Sequence, residues 1–215
     1  VVDLLIVGSR VSLTVGLLAT LGAVALGGVL GILAGFYEGK LPGTVLTALI
    51  DWFLVIPWLV LAIVLAAILG PTLLNVIIVI AITSWALTAR LVRAQTMAVR
   101  AEPFIERARA LGSGDGRILV NHVLPQVGPL IIAQGVLTVA VAILSETTLA
   151  LLGLGDPTSM SWGRMIEEAF SSGAMSNGYW WWILPPGICV IAVTLAFSLV
   201  GYALEEVLNP RLTER

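Results

Sequence analysis

No residue from Val11 to Phe36 carries a charge, and none from Trp52 to Ala89 does. Each stretch exceeds the roughly 20 apolar residues that take a helix across a bilayer core. Within hydrocarbon every backbone N–H and C=O must be satisfied by the chain itself, so such runs read as helices. The first predicts a span over 11–36. The second is too long for one span, and Gly70-Pro71, a helix-breaking pair, divides it into spans over 45–69 and 72–89. Two later stretches, 127–152 and 180–204, bring the spans to five. The composition agrees: 11% of residues are charged, against about a quarter in soluble domains, and the mean hydropathy is +1.04. The expected fold class is all-α, a polytopic transmembrane helical bundle. There is no internal repeat or separate soluble segment, so residues 1–215 read as one domain.

Charges this sparse are informative by position. The net charge of −2 points to no nucleic-acid partner. The segment 90–126 holds Arg90, Arg93, Arg100, Arg107, Arg109 and Arg117, the enrichment expected of a cytoplasmic loop. Span parity then places Lys40 and the tail with Arg211 and Arg215 on the same side, leaving Arg10 and Arg164 outside. The amino terminus has no initiator Met and no signal-peptide pattern. With the first residues external, one further span is expected ahead of them in a parent chain of six.

Inside the basic segment, Pro103 fits the first turn of a helix and Gly112 its C-terminal cap. Phe104, Ala108 and Leu111 share one stripe, and Glu102, Glu106 and Arg109 another, which predicts a short amphipathic helix. The glycines around Asp115 predict a turn, and Ile118 to Leu124 leads to Pro125 and back into the membrane. A helix-turn-helix at the cytoplasmic face follows. On residue types alone, a basic loop resting on anionic headgroups explains the arginines equally well. Outside, Trp162, Met165, Ile166, Ala169 and Phe170 fall on one helical face, with Arg164, Glu167 and Glu168 elsewhere, and Trp180-Trp181-Trp182 forms an interfacial belt.

Glu106, Arg107, Ala108, Gly112, Ile118, Leu124 and Pro125 together resemble the signature loop of ABC importer permeases, although Arg107 stands where the familiar triplet has alanine. GSRVSLTVGLLATLGAVALGGVLGILAGFYEG, DWFLVIPWLVLAIVLA, SETTLALLGLGDPTSMSWGRMI and GYALEEVLNPRL resemble, in the same order, segments of the dipeptide/oligopeptide/nickel permease family. The GLG and SWG elements favour its C-type subunit. The resemblance implies a prokaryotic cell-membrane subunit that forms half of a translocation pathway, with its loop and C-terminus cytoplasmic. It implies a second homologous permease, two cytoplasmic ABC ATPases that hold the ATP and Mg, and an extracytoplasmic substrate-binding protein. The loop, with Glu102, Phe104, Glu106, Ala108, Leu111, Gly112, Ile118, Leu124 and Pro125, is expected to couple to the ATPase, its helix seated against that partner. The outer helix, with Trp162, Arg164, Glu167 and Glu168, is expected to lie beneath the binding protein. Peptides are the cargo it implies, with nickel chelates or other small solutes as the alternative.

The only lysine, Lys40, is followed by Leu41, so the chain has no G-x-x-x-x-G-K-[ST] phosphate loop. One His and one Cys cannot build a structural zinc site, and no cofactor or metal is expected on this chain. His122 reads as a structural residue of the loop and Cys189 as a buried thiol. Asp51 and Glu146 are ionisable groups within spans and hence pathway candidates. Pairing with a neighbouring helix is the plainer role for Asp51, and packing against the partner permease for Glu146. Pro57 is expected to kink its span, as a gate or as a packing irregularity. Gly16, Gly22, Gly27, Gly28 and Gly31 are expected to let helices approach closely. Two other classes use the same residues differently: an ion-coupled secondary transporter working through Asp51 and Glu146, and an intramembrane enzyme, for which no nucleophile or metal set is visible.

Overall fold

The structure is a computed structural model that describes residues 2–208, and all regular elements among them are helical. The tail with Arg211 and Arg215 lies outside the described residues. Helix α1 runs Val2–Phe36, α2 Leu41–Val55, α3 Trp58–Leu69 and α4 Leu73–Arg100. The short α5 (Pro103–Ala110) and α6 (Asp115–Ile118) follow. A π turn (Leu119–Val123) leads into α7 (Leu124–Leu151), and α8 (Trp162–Ser171) and α9 (Leu184–Leu208) close the described chain. Among the described residues four continuous helical stretches are long and apolar enough to cross a membrane, and α2 with α3, bent by 91°, is apolar enough to count as a fifth when taken as one span.

The bundle is built on α1 and α4, which run parallel. Gly27, Gly31 and Gly35 recur every fourth residue on α1. A Cβ at each would stand 2.6 Å from a main-chain carbonyl of α4, those of Trp85, Ala89 and Arg93 in turn. Lipid supplies no hydrophobic force between helices, so close packing over small residues takes its place. Gly35, absent from the expected set, continues the row. Gly16 meets Ile143, and Gly28 approaches Ile131, so α7 packs antiparallel on another side of α1.

Several expected boundaries differ, and α1 already begins at Val2, nine residues ahead of the span over 11–36. The stretch expected as a single kinked span over 45–69 is two helices, because Pro57 has no N–H to continue α2 and its φ of −57° with ψ of 116° turns the chain aside. Helix α4 does not stop at Ala89 but continues to Arg100. Arg93 and Arg100 therefore stand on helix, not on loop. Arg93 pairs with the Glu38 carboxylate at 2.8 Å, and Arg100 donates to the Glu38 carbonyl at 2.9 Å. These bonds hold the α1–α2 turn, with Lys40, at the same end of the bundle as the 90–126 segment.

At the opposite end Asp156 ties the α7–α8 connection to the start of α4. Its carboxylate accepts from the Leu73 N–H at 3.0 Å, a free first-turn donor of that helix. The Thr158 hydroxyl at 2.6 Å and its N–H at 2.8 Å donate to the other oxygen. The Thr158 hydroxyl foremost, with the Thr158 and Leu73 amides and the Ser159 hydroxyl, holds the carboxyl below its usual 3.8 despite partial burial. A carboxyl lowered by folding stabilises the fold fully above about pH 4 and loses that effect as the pH falls through the folded value. Asp156→Ala is expected to lower stability by about 1 kcal/mol at neutral pH. It should also flatten the acid limb of thermal unfolding measured in detergent.

Candidate functional site: the loop helix and the membrane cleft

Helix α5 is held by its own membrane core. Ile105 and Ala108 are buried with Phe36 of α1, Val92 and Val99 of α4, and Ile118, Val123 and Val127 beyond the turn; half-buried Phe104 packs against the same group. The ring of Phe104 also lies 6.2 Å from that of His122, which sits in the π turn as a structural residue of the loop. The Arg109 guanidinium lies 5.6 Å over the Phe36 ring and 3.9 Å from Asp115, which sets the helix against both neighbours. The π turn has a local cause. Pro125 cannot donate to the carbonyl of Asn121, and Leu124 donates instead to Leu119, one residue further back than in an α-helix.

The expected stripe of Phe104, Ala108 and Leu111 divides in space. Phe104 and Ala108 turn inward, whereas Leu111 is 87% exposed. Leu111 lies past the last turn of α5, with φ −81° and ψ 7°, so helical periodicity no longer governs where it points. Ile105 is the fully buried anchor that the stripe left out; its i, i+3 relation to Ala108 was the available signal. Glu102, Glu106 and Arg107 are exposed, as are Leu124 and Pro125 on the first turn of α7, while Ile118 is buried.

Gly112 closes α5 at φ +83°, with its N–H on Arg109 O at 2.9 Å and the Ser113 N–H on Ala108 O at 3.0 Å. This is the Schellman arrangement, in which a left-handed residue satisfies the last carbonyls of a helix. No atom lies within 4 Å of where a Cβ would stand, so the position demands a conformation and not a close approach.

The 91° break at Pro57 opens one side of the bundle. A cleft of about 850 Å³ lies between Phe53–Trp58, α4, α7 and α9. Its lining includes Thr83, Ser84, Gln134, Thr138, Ser145, Thr194, Ser198 and Tyr202 and, among the described residues, no Asp, Glu, Lys, Arg or His. Thr83, Thr138, Ser145 and Thr194 each donate to a carbonyl of their own helix at 2.8–2.9 Å. With those protons engaged, the hydroxyl oxygens present lone pairs to the cleft.

Of the three pathway candidates only Pro57 lines this cleft. Asp51 is exposed on α2, one turn before Leu54, which does line it. Glu146 is 4% exposed and faces α1, where the Ser12 hydroxyl donates to its Oε2 at 3.3 Å. On the outer helix, Arg164 pairs with Glu167 and Glu168, each at 3.3 Å. Trp162 is only 3% exposed, with its indole N–H on Leu5 O at 3.1 Å, so it faces the bundle and offers no outward surface. Gly163 explains the intimacy: a Cβ there would stand 2.7 Å from the Thr147 Cα.

A cleft between long apolar helices, an anchored loop helix at one end and the packed α8 at the other match a known class of membrane subunit. The sequence model described as "Binding-protein-dependent transport system inner membrane component" matches residues 27–214. The chain belongs to that family. Among relatives of this inner membrane component, the dipeptide transport system permease protein DppC of Alkalihalophilus pseudofirmus is 37% identical over 97% of the chain and 67% of its own length. The glutathione transport system permease protein GsiD of Pectobacterium atrosepticum is 33% identical over 97% of the chain and 68% of its own. The fold is that of the inward-facing MetNI methionine ABC transporter, with a TM-score of 0.69 at 17% identity over 94% of this chain and 96% of that one. The inner membrane component is thus a membrane-embedded permease subunit of an ABC importer, and its family is not the ATPase.

Proposed function

We propose that this inner membrane component conducts peptides inward, with α5 as the element that receives the movement of a cytoplasmic ATPase. The observation that carries the reading is the contrast within the loop. Ile105 and Ala108 fasten α5 to the ends of α1 and α4, while Leu111 is left 87% exposed beside Glu102, Glu106 and Arg107. An exposed apolar knob on a rigidly based helix suits a groove on another protein, and the surrounding charges set its register. The complex then consists of this subunit, a second homologous permease, two ATPases carrying ATP and Mg, and an extracytoplasmic binding protein that meets the α8 end. Arg90 to Arg117, together with Lys40, face the cytoplasm. Alternating access is driven by nucleotide and partners, because a ligand shifts a conformational equilibrium only by its differential affinity for the two states.

Peptide cargo draws support from the relatives' names and from the cleft. Hydroxyl oxygens that mainly accept suit a solute rich in N–H donors, and an uncharged lining tolerates differing side chains. Leu111→Glu is expected to remove most ATPase from the purified complex and to lower ATP-dependent peptide uptake in proteoliposomes about tenfold, the effect of losing one well-packed apolar anchor. Uptake by the unaltered complex that proceeds without ATP would overturn the reading.

A further inference from the structure

Glu146 is buried in the outer half of α7, yet no Arg or Lys pairs with it among the described residues. An ionisable group inside a bundle is costly, and packing alone does not call for one. One line of its contacts crosses three helices, and the Ser161 hydroxyl that caps α8 faces it as well. The Trp162 N–H, the first free donor of α8, reaches the Ser12 hydroxyl of α1 at 3.2 Å, and that hydroxyl donates to Glu146 Oε2 on α7 at 3.3 Å. Glu146 thereby fixes where the Ser12 proton points, and so leaves the Ser12 oxygen free to accept from α8. The helix that carries Glu146 runs without a gap from Leu151 back past Pro129 and through the π turn to Asp115, 37 residues in all. At about 1.5 Å per residue it is longer than the bilayer core is thick. One continuous helical stretch therefore joins the packing site of α8 to the turn after Gly112.

We propose that Glu146, acting through Ser12, is the positioning residue that locks α8 to α7, so that a partner seating on the outer helix is felt at the loop helix. This rests on the importer reading above. The test uses the assembled transporter in nanodiscs with Ser12→Ala, Glu146→Leu and Glu146→Gln. Ser12→Ala and Glu146→Leu should leave ATP hydrolysis without binding protein near that of the parent. Stimulation by cargo-loaded binding protein should fall about tenfold, the size of a typical coupling between sites. Glu146→Gln keeps an acceptor oxygen in place and should retain most of the stimulation. Amide hydrogen exchange over 162–171 should rise in the first two variants and not in the third.

Undiminished stimulation, or basal and stimulated rates falling by one common factor, would overturn the assignment. If Glu146→Leu fails to assemble, Ser12→Ala, a loss of one small oxygen, decides it. A parent complex with no ATP hydrolysis would sink the importer reading, whereas the exchange of 162–171 would still report whether Glu146 holds α8.

Discussion

Gly31→Leu is expected to destabilise the bundle by about 3 kcal/mol, at the upper end of what overpacking a well-fitted site costs. Even the first carbon of a side chain there would stand 2.6 Å from Ala89 O and 2.9 Å from Val92 Cβ. Neither can withdraw alone, since one is main chain of α4 and the other is a Cβ fixed to that main chain, and the contacts of Gly27 and Gly35 repeat the geometry a turn away on either side. Relief requires α1 and α4 to separate, and with them the frame on which α5 and α7 pack. Dispersion between closely fitted helices falls off steeply with such a gap. Thermal unfolding in detergent, followed by circular dichroism and by yield of monodisperse protein, measures the loss. Gly128→Ala is the matched control, because nothing lies within 4 Å of its Cβ position and alanine favours helix. Equal stability of Gly31→Leu and the parent would refute the close-packed α1–α4 contact.

Gly112→Val should leave the bundle folded and uncouple it. The substitution meets no atom, so its whole effect is conformational: a β-branched residue at φ +83° is disfavoured by about 1–2 kcal/mol or more. Leaving that conformation breaks the bonds from Gly112 to Arg109 and from Ser113 to Ala108, and Leu111 then loses its fixed direction at the end of α5. Transport and cargo-stimulated ATP hydrolysis in the reconstituted complex should fall about tenfold, the equivalent of 1.4 kcal/mol, while thermal stability changes little. Gly112→Asn should recover part of the activity because asparagine tolerates the left-handed region. Coupling that survives Gly112→Val intact would show that α5 does not depend on this turn.

Much of the loop was legible because its signals are local. Pro103 at the start and Gly112 at the end bound α5 through their own backbone restrictions, whatever lies around them. Leu111 was misplaced for a related reason: periodicity describes residues inside a helix, and Leu111 is already beyond it. The division of the long uncharged run at Gly70-Pro71 was likewise readable, whereas the sharpness of the break at Pro57 was not. A proline states that a hydrogen bond is lost, and the surrounding helices set how far the chain turns.

Hydropathy and arginine placement determined from sequence alone an all-helical membrane protein, and the resemblance of the loop and four further segments pointed to the importer-permease family. These properties belong to segments of the chain and their solvent. Tertiary structure decided which partners each isolated polar group meets. Glu146 reads in sequence as an ionisable group within a span, with a place in the pathway as one of its roles. In the bundle it faces Ser12, separated from it by 134 positions, and stands away from the uncharged cleft. Trp162 was expected among the residues beneath the binding protein and is instead buried on Leu5 and Ser12. Pairings between distant segments depend on how α1, α7 and α8 approach, and the small residues that set the approach, Gly8, Gly16 and Gly163, carry no mark of which helix they will meet.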